Sequence, residues 1–193
     1  KHRPTLEAVV GLYEQSEDWE QVIHFKKQIL DIAKVDERFK MNEAIGDLWH
    51  EKLKNVPKAL ESYNAASELQ PKNHKILHKL LMLYQGSKQW DSAIEIIERV
   101  SSLVDESDGS ADAKNGQKAK YQYTIGVILR DEVKDPDRSV EYFNRSLDLD
   151  PGQLKPFEAI NKIFTTKKDW KQLERAFRKM LHRISGKGND ELE

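Results

Sequence analysis

Residues 47–71 read DLWHEKLKNVPKALESYNAASELQP, and residues 127–151 read VILRDEVKDPDRSVEYFNRSLDLDP. The two stretches lie 80 positions apart and share Lys54/Lys134, Glu61/Glu141, Asn64/Asn144, Leu69/Leu149 and Pro71/Pro151, with most other pairs conservative. A second family interleaves with them: LYEQSEDWEQVIHFKKQIL from Leu12, LYQGSKQWDSAIEIIERVS from Leu83 and IFTTKKDWKQLERAFRKML from Ile163. Self-similarity at a spacing of about 20–50 residues marks stacked supersecondary units, each burying its apolar face on its neighbours.

Helix is the periodicity with support. Leu6, Val9, Val10 and Tyr13 recur at i, i+3, i+4 and i+7, as do Leu77, Leu80, Leu81 and Tyr84. Pro57 and Pro136 stand in or near first turns, and Pro71 and Pro151 follow helix ends. Asp18, Asp135 and Asp169 read as N-caps, accepting bonds from unpaired backbone N–H groups. These signals predict about ten helices, near 5–16, 18–33, 36–53, 56–69, 73–86, 89–103, 117–133, 136–149, 153–166 and 169–184. Their short connections make neighbours antiparallel. One connection is longer: VDESDGSADAKNG, 104–116, acidic and small, is expected to be a flexible surface loop. The tail from 185 to 193 is expected to fray.

Lys plus Arg number 32 and Asp plus Glu 33, a net charge of −1. A protein that grips phosphates carries a basic excess, so nucleic acid is not expected as a partner. Charged residues make up 34% and hydrophobic ones 38%, which suits thin helical layers with one face in water. With no cysteine, disulfides, zinc ribbons and thiol catalysis are out of reach. No apolar run approaches the roughly 18 residues of a membrane span, and no signal-peptide core is present. The chain opens KHRP without an initiator Met, which reads as a piece of a longer protein. Cytoplasm is the default location.

The second helices carry a family pattern. Ala59-x3-Tyr63, Ala66 and Pro71 repeat as Ser139-x3-Phe143, Ser146 and Pro151, with looser versions at Ala93-x3-Ile97 and Leu173-x3-Phe177. The first helices carry Ile45-Gly46-x2-Trp49, Leu80-Leu81-x2-Tyr84, Ile125-Gly126-x2-Leu129 and Ile160-Asn161-x2-Phe164. Small residues at i and i+7 let two helices approach, and a large one at i+4 fills the gap. Together these resemble the L-G-x2-Y…A-x3-F…P pattern of the tetratricopeptide repeat. Two repeats depart from it by carrying one extra residue in the turn. The resemblance implies an all-α, right-handed α-solenoid of about five antiparallel helix pairs in one array over 1–184. Its repeats are near 4–34, 35–71, 72–103, 117–151 and 152–184.

Tyr13/Trp19, Tyr84/Trp90 and Phe164/Trp170 each place an aromatic six residues before Trp. The expected role is structural, the Trp stapling the two helices at their turn. His74 and His78 stand at i, i+4, a spacing that can hold zinc, but no Glu follows His74 and no third ligand is evident. No nucleophile–base grouping, P-loop or Gly-rich phosphate fingerprint occurs. Neither catalysis, a cofactor nor a metal is expected.

The resemblance implies a concave groove lined by first helices. By position its candidates are Asp47 and His50, with Lys40 and Glu43; then Lys75, His78, Lys79 and Met82; then Tyr123, Thr124, Val127 and Arg130, with Lys120. Lys155, Glu158 and Lys162 extend the set. The expected function is a non-catalytic scaffold or adaptor for a peptide or helix of a partner protein. An acidic-apolar segment suits the basic centre, with Arg130 taking a carboxylate bidentately and Tyr123 and Met82 giving apolar contact. The carboxylate clamp of chaperone-binding relatives is not matched, since the corresponding places hold Ala44, Asp47 and Lys79. Two alternatives stand beside this: an internal segment of a longer solenoid, stacking on further repeats of its parent chain, and a regulatory module of a multidomain enzyme.

Overall fold

The computed structural model describes residues 2–185. The expected frayed end, from 186 onward, lies outside the described residues. Ten α-helices and no strand occur among the described residues. The chain divides between Gln89 and Trp90 into two compact units. The first holds α1 (Arg3–Gln15), α2 (Trp19–Ile32), α3 (Val35–Asp47), α4 (Val56–Leu69) and α5 (His74–Gly86). The second holds α6 (Trp90–Leu103), α7 (Ala111–Ile128), α8 (Pro136–Leu149), α9 (Leu154–Lys167) and α10 (Trp170–Ile184).

The helix starts follow local chemistry. Asp18 accepts from the Gln21 N–H at 3.2 Å, Asp135 from Arg138 at 3.0 Å and Asp169 from Gln172 at 3.1 Å. Asn55 and Asn73 cap α4 and α5 in the same way. The turn inside each helix pair is built on a left-handed residue: Glu17, Lys54, Lys88, Lys134 and Lys168 all have φ between 52° and 62°. None is glycine, although this conformation costs other L-residues about 1–2 kcal/mol. In three turns the next N–H reaches back five residues, from Asp18 to Tyr13, Gln89 to Tyr84 and Asp169 to Phe164. In the other two it reaches back six, from Asn55 to Trp49 and Asp135 to Leu129. There the extra residue is absorbed as a π-helical turn, Leu48–Lys52 after α3 and Leu129–Val133 after α7.

The expected loop at 104–116 is shorter in the structure. A 3₁₀ turn occupies Val104–Glu106 and α7 begins at Ala111, capped by the Ser110 hydroxyl. Lys118 pairs with the Asp105 carboxylate at 2.9 Å and Lys114 donates to its carbonyl, which draws α7 back over this segment.

In each unit a helix packs chiefly on its sequence neighbours: α1–α2, α2–α3, α3–α4 and α4–α5 in the first, α6–α7, α7–α8, α8–α9 and α9–α10 in the second. Two of these approaches run over a glycine. A Cβ on Gly126 would lie 2.6 Å from the Phe143 ring, and one on Gly46 would overlap the ring of Tyr63. Ser139 and Ser146, in the small positions of α8, are fully buried and donate to the α7 carbonyls of Gly126 and Ala119 at 2.8 Å. They stand where α4 has Ala59 and Ala66, so the hydroxyls keep the small-residue spacing while remaining satisfied. The expected Trp staple holds at Trp19, which packs, as Tyr13 does, against the cluster of Val10 on α1 with Val22 and Ile29 on α2. It does not hold at Trp170, which is 61% exposed because no later helix covers it among the described residues.

Candidate functional site

Across α3, α4 and α5 the first unit assembles a polar network. Lys79 on α5 donates to Asp47 at 2.5 Å and to Glu43 at 2.9 Å, both on α3. Lys75, one turn earlier, also reaches Glu43 at 2.9 Å. Tyr63, on α4, donates its hydroxyl to Asp47 at 2.7 Å and puts its ring 5.3 Å beneath the Lys79 ammonium. Tyr63 is 2% exposed, and the Glu43 and Lys79 side chains are 14% and 22% exposed. Burial raises the Tyr63 phenol above the ordinary tyrosine value, and its bond to Asp47 raises it further. Burial pushes Glu43 up, but the hydrogen bonds from Lys79 and Lys75 outweigh it and hold the carboxyl below its usual value. For Lys79 burial acts downward and is outweighed by Asp47 and Glu43, leaving the ammonium raised. The set is charge-neutral, with two lysines against two carboxylates.

Three of the sequence-selected residues, Asp47, Lys75 and Lys79, therefore meet at one place. Around them His78 is exposed and Met82 is 59% exposed on the same face of α5, each three residues on from a lysine of the set, Lys75 and Lys79, and four residues from one another. His50 is exposed on the π turn after α3. Sequence reasoning placed Glu43 beside this set but missed Tyr63, the residue that anchors Asp47. The available signal was a paired difference: where Asp47 and Tyr63 stand, the later copy has Val127 and Phe143.

In the second unit the selected residues meet different surroundings. Tyr123 and Val127 are half-buried in the cluster formed by Phe143, Leu147, Ala159 and Ile160, with Tyr123 and Phe143 centroids 5.7 Å apart. They are seam residues rather than open contact points. Thr124 is exposed and donates its hydroxyl to the Lys120 carbonyl at 2.9 Å. The Arg130 fork is occupied: Nε and one terminal nitrogen each lie 2.7 Å from an oxygen of Asp131. That bond raises Arg130 and holds Asp131 below the usual carboxylate value. The bidentate geometry expected for a ligand carboxylate is thus present with an internal partner, and Lys75, Lys79 and Arg130 of the basic centre read from sequence are each paired with a carboxylate.

His74 and His78 are both exposed, and no group of three or more His, Cys, Asp or Glu is placed to hold a metal among the described residues. No helix among them is long and apolar enough to cross a membrane.

No curated protein matches the chain. Solved structures similar to it include MamA 41-end from Desulfovibrio magneticus RS-1, at 16% identity and TM-score 0.45, covering 97% of each chain. A MamA RS-1 double mutant is 18% identical with TM-score 0.46, again over 97% of each chain. Pseudomonas aeruginosa PilF is 16% identical with TM-score 0.42, over 97% of this chain and 78% of that one. At this distance the likenesses carry no function across. Residues 119–153 match the tetratricopeptide repeat family. They span the end of α7, its π turn and α8, the helix pair with Gly126, Ser139 and Phe143 at its seam. The chain therefore carries a tetratricopeptide repeat at 119–153, set among helix pairs built on the same plan.

Proposed function

We propose that the chain is a non-catalytic protein-binding module, located in the cytoplasm, that offers the first-helix face of its repeats to a peptide or helix of a partner protein. The observation that carries this is the α3–α5 face. Lys79 bridges two first helices side by side, and His78 and Met82 stand exposed beside the bridge. The charged groups are already oriented, so ordering costs on this side of the contact are low. Because the network is neutral, the ligand is anchored by apolar contact on Met82 and by hydrogen bonds to His78 rather than by capture of an anionic segment.

The test is affinity capture from a lysate of the source cells with the wild-type chain beside a His78→Glu/Met82→Glu variant. Both side chains are exposed, so circular dichroism should be unchanged. A protein retained by wild type and lost with the variant supports the reading. Equal retention by both places the contact elsewhere and sinks it. Lys79→Glu is the poorer probe, since it would break the network and unsettle the fold.

A further inference from the structure

We propose that the two ends of the chain bind one another in trans, the outer face of α10 in one copy taking the outer face of α1 in a second copy and reproducing the α8–α9 junction. Within the second unit Phe143 and Leu147 of α8 are fully buried with Ala159, Ile160 and Ile163 of α9. The N-caps Asp135 and Asp169 set the register, so Phe143 and Leu147 correspond to Phe177 and Leu181 of α10. An aromatic ring of the preceding helix meets each phenylalanine: Tyr123 lies against Phe143 at 5.7 Å, and Phe157 against Phe177 at 5.0 Å. Yet Phe177 is 47% exposed and Leu181 64% exposed, with Ile184 at 61% one turn further on.

The other half of the junction is open at the opposite end. Phe164 and Tyr13 are equivalent, each carbonyl accepting from the N-cap of the next helix. Ala159, Ile160 and Ile163 therefore correspond to Ala8, Val9 and Leu12. Ala159 and Ile163 are 6% and 8% exposed, whereas Ala8 is exposed and Leu12 is 65% exposed. Each end thus leaves bare one half of a contact whose two halves are buried together between α8 and α9. Charge agrees with the pairing. From Trp170 to Ile184, the span of α10, there are five Lys or Arg and one Glu, net +4 with His neutral, while α1, Arg3–Gln15, holds one Arg and two Glu, net −1. The joined faces differ, so a pair keeps one free face of each kind and association continues from copy to copy.

The test is sedimentation of the chain over a wide concentration range. The wild type should gain weight-average mass as concentration rises. Leu12→Glu and Leu181→Glu each remove one face at an exposed site. Each should weaken association more than about tenfold, with the helical circular-dichroism signal intact. An equimolar mixture of the two variants should form a one-to-one dimer and stop, since it holds one intact α1 face and one intact α10 face. A wild type that stays monomeric would hand both faces to other occupants, such as a further repeat, and would overturn the proposal. Association of either variant like wild type, or growth of the mixture beyond a dimer, would also overturn it. Neither face uses the groove residues, so the groove reading and this one fail separately.

Discussion

The two copies of the longest repeat solve one packing problem with opposite chemistry. Around Gly46 the first unit sets Glu43, Asp47, Tyr63 and Lys79; around Gly126, 80 residues later, the second sets Tyr123, Val127, Phe143 and Ala159. The backbone is the same, with a glycine under an aromatic ring and a π turn closing the first helix. One site is a hydrogen-bonded charge network, the other an apolar cluster. The frame therefore does not require the charges. A polar set is kept in a position that tolerates an apolar one when orientation or specificity is gained, and that marks the α3–α5 face as the place where this chain differs from its own plan.

Breaking the apolar site should cost most. Phe143→Ala is expected to lower stability by about 3–5 kcal/mol in urea unfolding, since a fully buried aromatic leaves a cavity between α7 and α8. Gly46→Ala and Gly126→Ala should cost about 2–3 kcal/mol each, because the new methyl meets an aromatic ring that has nowhere to go. Similar losses at both would show that the two sites share one frame despite their chemistry; a loss at only one would break the comparison.

Asp47→Val alone should cost about 1–2 kcal/mol. It strands the Tyr63 hydroxyl and half of the Lys79 contacts, and partial exposure keeps the figure low. Changing Glu43→Tyr, Asp47→Val, Tyr63→Phe and Lys79→Ala together should return stability to within about 1 kcal/mol of wild type.

The same four-fold variant should flatten the pH dependence. Glu43 is lowered in the folded state, so its contribution is present above the ordinary carboxylate value and lost as pH falls through the lower folded value. Lys79 is raised, so its contribution is present below the ordinary lysine value and lost as pH rises through the higher folded value. Unfolding midpoints of wild type and variant should diverge at both extremes and run parallel between them. Parallel curves throughout would mean that the network adds nothing to stability. The smallest effect is a gain: Lys54→Gly and Lys134→Gly should each stabilise by about 0.5–1 kcal/mol by relieving a left-handed turn.

Much of the fold was legible because its signals are local. Asp18, Asp135 and Asp169 cap helices, the prolines sit at helix starts and ends, and the glycines lie under the rings, all readable at spacings within one repeat. The start of α7 was not legible, because residues 111–116 lack large apolar side chains and the helix is held there by Asp105 through Lys114 and Lys118. The site was legible as positions but not as chemistry. Spacing puts Lys79 and Arg130 on exposed faces; it does not say that Lys79 finds carboxylates 32 and 36 residues earlier, or that Arg130 turns onto its neighbour Asp131.

The π turns after α3 and α7 bear on how such a chain changes length. A residue gained at this corner is taken up by a widened ring of backbone hydrogen bonds, and the cap at Asn55 or Asp135 still forms. The next helix then begins in the same rotational setting, and every side chain beyond the corner keeps its face. Insertions and deletions of one residue, ruinous in the middle of a helix, become neutral currency at the bend, so neighbouring repeats can drift apart in length while their seams stay in step.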